Sequence, residues 1–316
     1  MLGGRLVVAG KGHVAVRRLK FRTGNRNLAG YLFISPFLIG FITLTALPMV
    51  ASLYLSFTDY SMLGAPNWLG MANYQKMFWG DDTYWQSVRV TLVYVLTSVP
   101  MRLICALLIA VLLDRVTAGA GLFRTVLYIP SLIGGSVAVS VMWKQLFSDN
   151  GAVNALLALV GIHPISWLGN PHTALWTLVL LAGWQFGSPM LIFLAGLKNI
   201  PKELYEAANV DGAGGLQNFF RITLPMLTPV ILFNVVMQVI QSFLAFTPSY
   251  IISNGQGDPL GGTLLYVLYV FRNAFVFFKM GYASAMAWVL LAAIAICTAI
   301  IFRSSSYWVH YESESE

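Results

Sequence analysis

Apolar residues gather into six long runs, 29–56, 90–113, 125–143, 173–197, 222–247 and 281–302, bounded by charge, Gly or Pro. A helix needs roughly 20 apolar residues to cross about 30 Å of hydrocarbon, and within itself it satisfies every backbone N–H and C=O. Each run therefore predicts one transmembrane helix. The first begins after 28 residues, is too long for a secretory leader and has no small-residue cleavage site before a soluble domain, so it is expected to stay as an anchor. The stretches 57–89, 144–172 and 248–280 are rich in Gly, Asn, Asp and Pro and read as loops with short interfacial helices. None is long enough for an independent soluble domain, which usually needs roughly 40 residues or more. Any soluble activity must come from a partner.

Composition agrees: 58% of the 316 residues are hydrophobic and 10% charged, which cannot cover a soluble surface and excludes soluble-enzyme, disordered and collagen-like classes. The net charge of +7 matters through its distribution, and points to topology rather than to a nucleic-acid partner. With a cytoplasmic N-terminus, seven Lys/Arg before residue 29 join Arg115, Arg124, Lys198, Lys202, Arg221 and Arg303 on the inner side. Lys76, Arg89, Lys144, Arg272 and Lys279 fall outside, so the positive-inside rule gives N-in and C-in. Trp68, Trp85, Trp143, Trp167 and Trp308 stand near span ends as an aromatic belt. The chain thus divides into a basic cytoplasmic segment 1–28, a six-span domain 29–303 with an inner loop 198–221, and a cytoplasmic tail 304–316 whose alternating Glu and Ser are expected to be solvated. Cys105 and Cys297 lie in apolar runs with no metal or disulfide spacing.

Much chemistry is missing. None of the twelve acids and none of the four histidines lies within a span, so a proton-driven carrier lacks its usual residues. An ion-driven carrier or channel is the competing class; it would show broken helices and titratable midplane groups, which the sequence does not display. A membrane-embedded assembly factor without a solute path is a second alternative, against which the amides of span five speak. No phosphate-binding Gly loop, nucleophile elbow or zinc-binding His pair occurs, and no catalytic or metal-ligating residue is assigned.

Between spans four and five, Pro201 suits a first helical turn, Glu203 the positive end of a helix and Gly212 its termination, predicting a short surface helix. Glu206-Ala207-Ala208 gives it a slim face for close protein packing, and a second amphipathic piece, Leu216 to Ile222, leads into span five. Glu206-Ala207-Ala208, three residues, Gly212, nine residues, Ile222, one residue, then Leu224-Pro225 resembles the EAA loop of binding-protein-dependent ABC importer permeases at every position of its pattern. Tyr31-Leu32-Phe33, Pro36, Pro48 and Ser56-Phe57-Thr58-Asp59-Tyr60 are similar to the opening of carbohydrate-type permeases. So are Gly70 to Tyr74, Pro130 to Trp143 with Asn150-Gly151 and Asn154, and Met280 to Ala285. The resemblance covers about 29–303 and fits best the maltose- or glycerol-phosphate-type first permease subunit. It implies an all-α integral membrane protein with the type I ABC importer permease fold. Its partners would be a second similar permease, two ATP-binding subunits and an external solute-binding protein. ATP and Mg would sit in the ATP-binding subunits, and this chain would hold no cofactor. Glu206, Ala207, Ala208 and Gly212, with Asp211 beside them, would be ATPase-coupling residues.

Asn234, Gln238 and Gln241 in span five fall at i, i+4 and i+7, on one helix face. They could bond sugar hydroxyls or act as packing bonds between helices. In span four, Trp184 and Gln185 lie beside Gly183 and Gly187, where an indole face could stack on a pyranose. In similar permeases these two regions line the substrate cavity; Tyr269 and Asn273 are further candidates. Arg102, the one charge at mid-span, follows Pro100 and departs from the neutral residue that similar permeases have there. It would meet an acidic solute such as a uronic-acid oligosaccharide or phosphate ester, a partner in the neighbouring subunit, or helix carbonyls.

Overall fold

The computed structural model describes residues 26–62, 64–116 and 119–310, so the N-terminal basic residues 1–25 and the acidic end 311–316 lie outside the described part. Regular structure there is helical, apart from one isolated antiparallel bridge between Thr58 and Trp68. The chain separates into two compact units that divide after Ala51.

In the first, α1 (Arg26–Phe41) passes through a π-helical turn at Ile42–Ala46 into α2 (Leu47–Leu55). Thr43 lies in that turn and donates its hydroxyl to the Ile39 carbonyl (2.7 Å), which satisfies it without water. Phe33, Phe37 and Leu44 are exposed, as a lipid-facing span requires.

The second unit is organised around α4 (Asp82–Asp114), 33 residues long and starting well before the predicted span at 90. α5 (Ala120–Ile133) and α6 (Val137–Leu146) meet at a 96° bend, and α8 (Pro171–Trp184) and α9 (Gly187–Asn199) at 41°. Short helices α3 (Ala72–Trp79) and α7 (Ala152–Leu159) occupy the outer loops. Further on come α10 (Lys202–Val210), α11 (Gly215–Asn218), α12 (Leu224–Met226), α13 (Thr228–Phe243), α14 (Thr247–Ile252), α15 (Tyr266–Phe271) and α16 (Met280–Trp308). Four segments are long and apolar enough to cross a membrane unbroken, and the two bent pairs raise the number to six. The expectation of six continuous spans without breaks is thus corrected at 125–143 and 173–197. The Gly134-Gly135-Ser136 sequence supplies the first break, and Ser136 caps α6 by accepting from Val139 N–H (3.3 Å).

α4 packs against α8, α9 and α13, and its small residues Ala106 and Ala110 are fully buried against Met190, Phe193 and Leu227. In the outer loops, polar side chains replace a hydrophobic core. Asn154 binds the Asp149 and Ile165 carbonyls through its amide (3.0 and 2.9 Å) and accepts from Ile165 N–H and the Trp167 indole. Asn67 donates backbone and side-chain N–H to Asp59, which holds that carboxyl below its ordinary range. Asn73 closes the end of the first span by donating to the Ser56 and Thr58 carbonyls, both at 2.8 Å. A Cβ at Gly281 would collide with the Thr58 carbonyl, so Met280-Gly281 and Ser56-Phe57-Thr58 meet because that residue is Gly.

Asp81 joins three helices. It caps α4 by accepting from Tyr84 N–H (3.0 Å), and accepts the hydroxyls of Tyr269 (2.7 Å) on α15 and Tyr282 (2.6 Å) on α16. The Asp81→Ala variant is expected to lose on the order of 3 kcal/mol, a cap plus two charge-assisted bonds, and Tyr282→Phe less than half of that. Thermal unfolding of both in mild detergent checks it; equal midpoints for Asp81→Ala and the parent would refute the anchoring role.

Candidate transport cavity and coupling loop

The break between α8 and α9 creates the most polar point within the spans. The Ala182 carbonyl, in the last turn of α8, accepts from Arg102 Nε (2.7 Å) and from Gln185 N–H (3.2 Å). The Gln185 carbonyl accepts from the Ser131 hydroxyl (3.0 Å), whose oxygen accepts from Ser188 N–H (2.9 Å). The Gln185 amide donates to the Gly134 carbonyl (3.0 Å), at the break of the other bent span. Two interrupted helices thus complete one another's hydrogen bonding where no water is available. Their contact is close: a Cβ on Gly187 would stand 2.8 Å from the Leu127 carbonyl and from Tyr128 Cα, whereas one on Gly135 meets nothing.

Beside this junction lies a cavity of about 220 Å³, whose walls include Tyr94, Arg102, Gln185, Gln241, Ser242 and Thr247. Of the residues singled out by sequence, Arg102, Gln185 and Gln241 reach it. Gln238 lies behind the wall, its carbonyl accepting from Arg102 Nη1 (2.5 Å). Asn234, on the same face a turn earlier, is fully buried with neither amide atom hydrogen-bonded. Trp184 packs against Trp143 (centroids 5.8 Å apart) and is not among the lining residues. Tyr269 and Asn273 are also elsewhere: Tyr269 binds Asp81, and Asn273 donates to the Tyr269 carbonyl. Arg102 meets helix carbonyl and side-chain amide, one of the alternatives for it. Tyr94, Ser131 and Thr247 were not signalled by any one-helix pattern, because each reaches the junction from a different element. The breaks themselves were not read from the sequence, although the Gly and Pro residues at 130–135 and 187–189 were a signal that could have found them.

At the other end of the same spans, α10 carries Glu206 and Ala207 exposed, with Ala208 half-buried. Pro201 precedes the helix, and Glu203 lies in its first turn. Gly212 ends it in the left-handed region (φ +80°), and Ala213 N–H returns to the Ala208 carbonyl (2.9 Å). Asp211 and Gly212 are exposed, as are the apolar Val210, Leu216 and Phe220. A π-helical turn at Phe219–Thr223 follows. There the Thr223 and Tyr205 hydroxyls are hydrogen-bonded (2.9 Å), and the Asn218 side-chain amide donates to Asn209 Oδ1 (3.1 Å). Through these bonds α10 is tied to α11 and to the π-helical turn that leads through α12 into α13, the helix that brings Gln241 to the cavity and Gln238 behind its wall.

Six apolar segments, a polar cavity at broken helices and an exposed helix tied to a cavity-lining span define a membrane transport subunit. Residues 82–309 match the model of the binding-protein-dependent transport system inner membrane component. The chain belongs to that family, and is an ABC importer permease subunit with the type I fold that works with a solute-binding protein. It is 60% identical, over 92% of its length and 94% of that protein, to the probable ABC transporter permease protein YesP of Bacillus subtilis (strain 168). It is 32% identical, over 89% and 90%, to the arabinooligosaccharides transport system permease protein AraP of the same organism. The same fold occurs in a bacterial ABC transporter involved in the import of the acidic polysaccharide alginate: TM-score 0.74, 20% identity, 89% of this chain and 96% of that one.

The glycine contact gives a paired expectation. Gly187→Ala should cost about 1–3 kcal/mol by forcing α5 from α9, and Gly135→Ala should stay near the parent. Detergent unfolding of both measures it, and similar losses in the two would refute the close-approach account.

Proposed function

We propose that this chain is one of two permease subunits of a carbohydrate importer in the bacterial cytoplasmic membrane. The second permease, two ATP-binding subunits holding ATP and Mg, and an external solute-binding protein complete it. The observation that carries this reading is the exposed helix bearing Glu206, Ala207 and Ala208, fastened through Tyr205 and Thr223 to the π-helical turn that leads through α12 into α13. An ATP-binding subunit seated on Glu206, Ala207, Ala208, Asp211 and Gly212 would move α10, and with it α13, so that the cavity alternates between the two sides. Such coupling requires the nucleotide states to differ in their contacts to this loop. Exposed Val210, Leu216 and Phe220 give the docking face its apolar area.

A carbohydrate solute is supported by the neutral donors and acceptors at the cavity, Gln185, Gln241, Ser242 and Thr247, with Gln238 and Asn234 continuing the polar face inward. It is supported also by the arabinooligosaccharides in the name of one relative and by the alginate imported by the structural neighbour. Arg102 is in keeping with an oligosaccharide that carries acidic groups. The Trp143–Trp184 pair would brace the cavity from behind rather than stack on the solute.

Purification of the tagged chain from its native membranes in mild detergent tests the reading. A second six-span protein and an ATP-binding subunit should be recovered in stoichiometric amounts. Glu206→Lys should insert normally, yet lose the ATP-binding subunit or lower ATP-driven uptake at least tenfold. Undiminished uptake in that variant, or a chain isolated alone, would overturn the assignment and favour an ion-driven carrier.

A further inference from the structure

A guanidinium at mid-span costs about 3 kcal/mol even by insertion measurements, so its counter-charge is a question of chemistry. Arg102 is 91% buried, and no carboxylate is bonded to it among the described residues. On its own helix the acids are Asp82 and Asp114, about 30 Å and 18 Å away at 1.5 Å per residue. Its two bonds go to neutral acceptors, the Ala182 carbonyl and Gln238 Oε1. The end of α8 offers a partial negative charge, about half an elementary charge, and the amide offers none. Of the five N–H donors of a guanidinium, three have no protein partner among the described residues. Nη2 bonds to nothing among the described residues and is not an enclosed atom, and Arg102 lines the cavity, so that nitrogen opens to it.

Resting on the carbohydrate-importer reading, we infer that the solute is anionic and that its charged group binds Arg102 by taking over the Nη1 donor now held by Gln238. The group is a uronate carboxylate or a sugar phosphate; either accepts two parallel N–H bonds from a guanidinium, a geometry that a single amide oxygen cannot match. Ala182 keeps Nε, so the arginine stays anchored to α8 while its outer nitrogens change partner. Gln185, Gln241 and Thr247, on the same wall, take the hydroxyls of the ring that bears the charge. The cavity is sized for one sugar ring, with the rest of an oligosaccharide outside it. Gln238 then serves as an internal stand-in for the anion, keeping Arg102 bonded when the site is empty. It is a specificity-determining residue together with Arg102.

The intact importer supplies the test. Cells with and without this chain are given a mixture of partial pectin, alginate and starch hydrolysates and glucose phosphates, and the compounds lost from the medium are identified by mass spectrometry. The species whose loss depends on this chain should carry a carboxylate or a phosphate, and which of the two decides the source of the charge. In Gln238→Glu an internal carboxylate pairs permanently with Arg102, so the complex should assemble while anionic uptake falls at least tenfold. Arg102→Gln should lower it similarly. Loss of neutral oligosaccharides alone, or unchanged anionic uptake in Gln238→Glu, would overturn the inference and leave the importer reading intact. Loss of no carbohydrate at all, with assembly preserved, would instead remove the carbohydrate reading beneath it.

Discussion

Backbone groups released by a helix break in hydrocarbon have no water to turn to, and the centre of this permease is arranged around that constraint. Two spans break within reach of each other. The Ala182 carbonyl near the end of α8 is taken by Arg102 and the Gln185 backbone, the Gln185 carbonyl by Ser131, and the carbonyl at Gly134 by the Gln185 side chain. The cavity lies against these breaks, and Arg102 and Gln185 both complete them and line it. Lengthening the helices to remove the breaks would remove the site with them.

The two ends of the bundle are held by different means. At the outer end, single polar residues each gather several chain segments: Asp81 three helices, Asn154 a whole loop, and Lys144 the Ile251 carbonyl and Asn254 after α14. Charged and amide anchors suit a region where apolar area is short and water can reach. The opposite end is held by fewer polar bonds, with α10 exposed along most of its length and joined by two hydrogen bonds to α11 and the π-helical turn after it.

Much of this was legible in one dimension. The apolar runs gave six spans because length and hydropathy alone decide which segments enter a bilayer. The stretch from Pro201 to Gly212 gave a short surface helix, and that helix and its Gly212 turn follow from local backbone preferences. The amide spacing of Asn234, Gln238 and Gln241 placed them on one face but treated them alike. In the fold Gln241 opens to the cavity, Gln238 pairs with Arg102, and Asn234 is enclosed without a partner. Trp184 went to the packing behind the wall for the same reason: periodicity assigns a face and not the neighbour.

By itself, then, the sequence determined membrane insertion, the number of apolar segments, the short surface helix before span five and the presence of a charge at mid-span with no carboxylate at its depth, all properties of one segment and its solvent. The tertiary structure decided which spans break and how sharply, which carbonyl and amide receive Arg102, and which polar residues share a cavity. Each of those depends on atoms separated by 51 to 136 residues along the chain. Such partners are brought together by packing of several helices at once, and no local preference of either segment encodes the meeting.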